Sequence, residues 1–95
     1  MDKTELLLEE LTNAYGPSGY ESEVAKIFAG HLEDMAEISY DKMGSVIARK
    51  KGTADDPKVM VIGHLDEIGF IVTEITKNGF IKFLPLGGWW GHVVL

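Results

Sequence analysis

Lys58-Val59-Met60-Val61-Ile62-Gly63-His64-Leu65-Asp66-Glu67-Ile68-Gly69-Phe70 sets the fold class of this chain. Val59 to Ile62 is an unbroken apolar run, which suits a strand covered on both faces, so it is read as the centre of a sheet. His64 then stands where that strand leaves the sheet, the place at which open α/β folds present functional groups. A lone histidine is either a hydrogen-bonded core group or a ligand. Asp66 bears on the choice. In an extended chain side chains two apart point the same way, so the Asp66 carboxylate is placed to accept an imidazole N–H and orient the ring towards a metal. The plainer reading of Asp66 is a turn aspartate. The same alternation turns Glu67 away, as a structural or supporting group. Gly63 and Gly69 either allow a close approach or mark local turns.

Working outward towards the N-terminus, Leu7, Leu11 and Ala14 mark one face of a short helix from Lys3 to about Asn13, capped by Asp2 with Glu5 three residues on. Gly16-Pro17-Ser18-Gly19 is a turn. Ser18 and Glu21 have capping-box spacing, and Val24, Ile27, Phe28, Leu32 and Met35 predict a second helix over about 19–35. Extended segments follow at Glu37–Tyr40 and Val46–Lys50 around the turn 41–44. Beyond the apolar run, Ile68–Ile75 and Phe80–Leu84 flank Lys77-Asn78-Gly79, a strong hairpin signal. Pro85 to Trp90 reads as a loop. Val93-Val94-Leu95 reads as the start of a further strand, so the expectation is a truncated chain, with a natural short product as the alternative.

Composition narrows the function classes. The 95 residues, 45% apolar, suit one small domain burying about 60 to 65% of its unfolded surface. A net charge of −6 argues against nucleic acid or an anionic membrane as partner. The absence of cysteine removes disulfides, thiolate metal sites and thiol nucleophiles, and cytoplasm is the default compartment. No signal-peptide pattern or membrane span is present. Gly16 to Gly19 matches neither a phosphate-binding loop nor a nucleophile elbow. His31 lies at the edge of the buried helical face and reads as a packing or partly exposed residue ahead of a catalytic one, while His92 is too isolated to assign. Trp89 and Trp90 read as a loop anchor or subunit contact ahead of a stacking surface for a sugar or peptide ring.

The collinear order of Gly16-Pro17-Ser18-Gly19-Tyr20-Glu21, Asp41 to Ala48, Lys58 to Phe70 and Pro85-Leu86-Gly87-Gly88-Trp89 resembles the N-terminal part of the glutamyl and deblocking, TET-type, metalloaminopeptidases. Some members carry an endoglucanase or cellulase label. The resemblance covers essentially the whole chain. It implies an α/β fold with two N-terminal helices and a mixed β-sheet. Residues 1–67 would then belong to the catalytic domain, and a C-terminal hairpin within 68–95 would lead into an inserted β-rich domain. It further implies a cytoplasmic homo-oligomer that removes N-terminal residues from peptides with two divalent metals, zinc or cobalt. His64 matches the first metal ligand and Asp66 the catalytic aspartate that orients it. The remaining ligands and the general-base glutamate would lie beyond Leu95, so this chain alone supplies one ligand and is expected to be inactive in isolation. The alternative is a short non-catalytic α/β module that pairs with itself or with a full-length homologue through its Gly-Gly-Trp-Trp segment and an open sheet edge.

Overall fold

The first helix, α1 (Lys3–Asn13), begins where the sequence requires it. The Asp2 carboxylate accepts the N–H groups of Thr4 (2.8 Å) and Glu5 (2.9 Å), and the Glu5 carboxylate accepts the Asp2 N–H at 2.7 Å. This closed box satisfies donors that every helix start leaves unpaired. Leu7 and Leu11 are half-buried and Ala14 is buried, which is the face expected of α1. The structure, a computed structural model, describes residues 1–93.

The second helix, α2 (Ser22–Leu32), is shorter than the predicted 19–35. At its start the expected Ser18–Glu21 capping box does not form. Gly19 adopts φ +90°, the Tyr20 N–H closes a tight turn on the Pro17 carbonyl at 2.8 Å, and the Glu21 carboxylate accepts the Gly19 N–H at 2.7 Å. Glu21 thus braces the turn, and no side chain caps α2. At the far end the carboxylates of Glu33 and Asp34 meet the negative pole of the helix dipole, which disfavours another turn. The N–H groups of Met35 and Ala36 both return to the Leu32 carbonyl. Val24 and Ala29 are the buried residues of α2.

Two antiparallel hairpins follow. Strands β1 (Glu37–Tyr40) and β2 (Val46–Arg49) pair with Ile38 opposite Ala48 and Tyr40 opposite Val46. Their turn is organised by Asp41, whose Oδ1 accepts the N–H groups of Met43 (2.8 Å) and Ser45 (2.9 Å), with Gly44 at φ +88°. Hydrogen bonding by the side chain and backbone of Ser45 holds the Asp41 carboxyl below its ordinary range. Strands β3 (Gly69–Ile75) and β4 (Ile81–Leu86) are joined by the expected Asn78-Gly79 turn, with Gly79 at φ +83° and the Phe80 N–H donating to the Thr76 hydroxyl. A bulge between Val72 and Glu74 shifts the register, and beyond it Lys82 reaches Glu74 at 2.7 Å. β4 continues through Pro85, expected as loop. A proline is tolerated there because among the described residues β4 has a neighbour on one side alone, so no ladder donor is lost.

The α/β class holds, with two helices and two small antiparallel sheets. The predicted central strand is where the structure differs. Val59–Ile62 joins neither sheet, and its side chains are 79 to 93% exposed. A strand of this composition needs a neighbour on each edge and a layer on each face, and the described residues supply none of these. Burial is correspondingly sparse, with Ala14, Val24 and Ala29 as the buried apolar side chains and a surface of 8561 Å², against about 5,400 Å² for a compact chain of this mass. The radius of gyration, 17.8 Å, likewise exceeds the ~12 Å of a compact domain of this length. Of the predicted strand start at Val93-Val94-Leu95, Val93 lies in a 3₁₀ turn (Gly91–Val93), and residues 94–95 lie outside the described residues.

Two outcomes test these assignments. Asp2→Ala costs α1 about 1 kcal/mol, read as lost helicity and faster amide exchange in its first turn, whereas Ser18→Ala leaves α2 unchanged. Because the Asp41 carboxyl is depressed in the folded hairpin, its contribution is complete above the ordinary carboxylate range and is lost as pH falls through the depressed value. Amide protection at Met43 and Ser45 should therefore survive mild acid and fade at lower pH.

Candidate metal-ligand site

The segment carrying His64 is held from below by the loop after α1. The Gly16 carbonyl accepts the Glu67 N–H at 2.9 Å, and Pro17 forms a parallel bridge with Glu67. Gly16 and Pro17 are buried, and a side chain on Gly16 would press on Val24 of α2 at 3.1 Å. Gly69 is required by space: a Cβ there would lie 2.7 Å from the Pro17 Cβ. Of the two readings of the bracketing glycines, close approach thus applies to Gly69, while Gly63 has nothing within 4 Å of its Cβ position.

Above this support His64 Nδ1 lies 2.8 Å from Asp66 Oδ1. The carboxylate is an acceptor, so Nδ1 donates, and the neutral ring then offers its Nε2 lone pair outward. The imidazole is 83% exposed and the Asp66 side chain 38%, so the pair is open to solvent on the Nε2 side. Glu67 contributes its backbone to the bridge, in keeping with a structural role. The pair lines a cleft of ≈ 190 Å³ together with the turn Leu86-Gly87-Gly88-Trp89. Gly87, at φ +74°, rests against Ser18, 3.3 Å from where its Cβ would stand.

His64 and Asp66 are therefore brought together, and the other histidines are elsewhere. His31 Nε2 pairs with Glu10 at 2.7 Å and ties α2 to α1, and the His92 ring lies 5.3 Å from that of Trp90. Among the described residues no three His, Cys, Asp or Glu side chains gather as a metal site. The pair fits one corner of a metal site: an oriented imidazole with a free nitrogen.

Residues 44–95 match the family model described as M42 glutamyl aminopeptidase. The chain belongs to the M42 glutamyl aminopeptidase family. It is similar to the lysyl aminopeptidase of Pyrococcus furiosus, at 42% identity over 84 residues that make up 86% of this chain and 24% of that protein. Among solved structures it is similar to the TET aminopeptidase of a marine sediment archaeon of the Thaumarchaeota, with a TM-score of 0.83 and 46% identity, covering 99% of this chain and 27% of the other. It also resembles PhTET1-12s, described as a dodecamer, with a TM-score of 0.71 and 30% identity, covering 93% and 26% of the two chains. This M42 chain thus spans about a quarter of the length of the relatives it matches.

Sequence reasoning missed the Gly16-Pro17 support, whose only signals were a buriable proline and two unexplained glycines. It also missed how Trp89 anchors its loop in this M42 chain. Phe70 of β3 packs on Phe83 of β4 with ring centres 4.4 Å apart, and Trp89 meets Phe70 edge-on at 5.2 Å. The Trp89 side chain is half-buried, and its Nε1 is itself buried with no hydrogen-bond partner among the described residues. Trp90, by contrast, is exposed. Phe70→Ala, in a Trp90→Phe background, is expected to shift Trp89 fluorescence to the red by removing the ring that shields it, with a loss of roughly 1 kcal/mol in hairpin stability.

Proposed function

We propose that this chain is the N-terminal quarter of a metal-dependent aminopeptidase, and that His64 is a metal ligand oriented by Asp66. The 2.8 Å His64–Asp66 bond, inside the segment that matches the family, carries the reading. Zinc or cobalt fits a neutral imidazole donor, and a dinuclear centre would draw its other ligands and its general-base glutamate from the remaining three-quarters of such a protein. When bound, the metals supply polarisation of the scissile carbonyl and activation of water. The work of this chain is narrower: Asp66 holds the proton on Nδ1, fixes the ring plane and leaves Nε2 as the donor atom.

In the same reading residues 1–67 belong to the catalytic domain and 68–95 begin an inserted β-rich domain. Peptides are the substrates, and the assembled enzyme is a cytoplasmic homo-oligomer. The acidic charge is consistent with a partner other than nucleic acid or membrane, and among the described residues no helix is long and apolar enough to cross a membrane. The exposed Val59–Ile62 run then pairs with strands from the rest of the protein. A non-catalytic association module is the less favoured reading, because the likeness to aminopeptidases extends over nearly the whole chain.

Zinc added to the purified 95-residue chain should perturb His64 selectively, with His31 and His92 as internal controls. The effect disappears in His64→Ala, and affinity falls roughly 10-fold or more in Asp66→Ala. Zinc binding indifferent to His64→Ala would overturn the assignment. The isolated chain should not turn over aminoacyl p-nitroanilides; turnover abolished by chelator and by His64→Ala would show that these 95 residues suffice.

A further inference from the structure

We propose that Gly16-Pro17-Ser18 is a positioning loop for the site, setting the distance between the His64–Asp66 pair and the Gly87–Trp89 turn that lines the cleft with it. The proposal rests on the reading of His64 as ligand and Asp66 as its orienting partner. Three consecutive residues reach two segments about twenty residues apart in sequence. The Gly16 carbonyl accepts the N–H of Glu67, the residue directly after Asp66. Pro17 bridges Glu67 and fills the space in which Gly69 would carry a side chain. Ser18 lies against Gly87, at the start of that turn.

The loop is suited to transmit position because it is itself fixed. Gly16 and Pro17 are buried, Gly16 beside Val24 of α2, and the proline ring locks one backbone dihedral. The Pro17–Tyr20 turn and the Glu21 carboxylate on the Gly19 N–H hold its other end. A displacement of Pro17 therefore moves the backbone that carries Asp66, and Asp66 sets the imidazole. Among the described residues the His64 ring is hydrogen-bonded to Asp66 and not to Pro17 or Ser18, so the role of the loop is to position. A ligand group displaced by a few tenths of an ångström loses much of its advantage, which makes such support consequential.

The test is a mutant cycle on the 95-residue chain, read by NMR as the His64 tautomer ratio in mildly alkaline solution. In the wild type, Pro17–Gly69 proton contacts are seen and the Nδ1–H form of His64 predominates. Gly69→Ala drives a methyl into the Pro17 ring and is expected to lower the ratio of Nδ1–H to Nε2–H at least tenfold. Pro17→Gly, which removes contact without collision, lowers it about threefold. The double variant returns to the Pro17→Gly level, because the collision is gone. Gly63→Ala, in open space, changes nothing. Missing Pro17–Gly69 contacts in the wild type, or wild-type ratios in both Gly69→Ala and Pro17→Gly, overturns the proposal. Should Gly69→Ala fail to fold, Pro17→Gly and the double variant decide alone. Zinc separates the two readings. If zinc leaves His64 unperturbed while the tautomer cycle behaves as stated, the ligand assignment fails and the positional link stands. If zinc binds His64 with equal affinity in the wild type, Gly69→Ala and Pro17→Gly, the ligand assignment stands and the positioning role fails.

Discussion

The contact of Pro17 with the backbone from Glu67 to Gly69 is the constraint on which the arrangement of this molecule depends. It joins the helical part to the β3–β4 hairpin through a backbone bridge and one close side-chain approach. Its strength is steric and directional: one ladder hydrogen bond from Glu67 to Gly16, and a proline set into a gap that only glycine leaves open. Such a joint fixes register well and contributes little hydrophobic stabilisation. That division of labour suits a molecule whose buried apolar residues are few among the described residues.

The elements that were legible in the sequence are those closed by local chemistry. Asp2 and Glu5 start α1, Asp41 and Gly44 make the first hairpin turn, and Asn78-Gly79 makes the second; each is satisfied within a few residues of chain. The His64–Asp66 bond belongs with them, since it needs only two residues and an extended backbone. The family likeness was legible for a different reason, being spread in order over the whole chain.

What was not legible depends on distant partners. Ser18 and Glu21 have the spacing of a capping box, but the turn at Gly19 redirects Glu21 to brace the loop, a choice made by the packing of Pro17 fifty residues from its partner. Val59–Ile62 was read as a central strand from composition, and composition reports the burial a segment is suited to, not the neighbours it has. The requirement for glycine at position 69 likewise came from a side chain far along the sequence.

The bare Val59–Ile62 run has a further meaning for the life of the polypeptide in solution. Four consecutive exposed apolar side chains, whose backbone joins no sheet among the described residues, are a template for intermolecular strand addition. The residues on either side read as gatekeepers against it: Asp55, Asp56, Pro57 and Lys58 precede the run, and His64, Asp66 and Glu67 follow it after a single glycine. The carboxylates of Asp66 and Glu67 at one end thus also discourage self-association, and the net charge of −6 adds a longer-range repulsion between copies. Charges thus flank an adhesive apolar run on both sides, and they oppose its pairing with another copy of the chain.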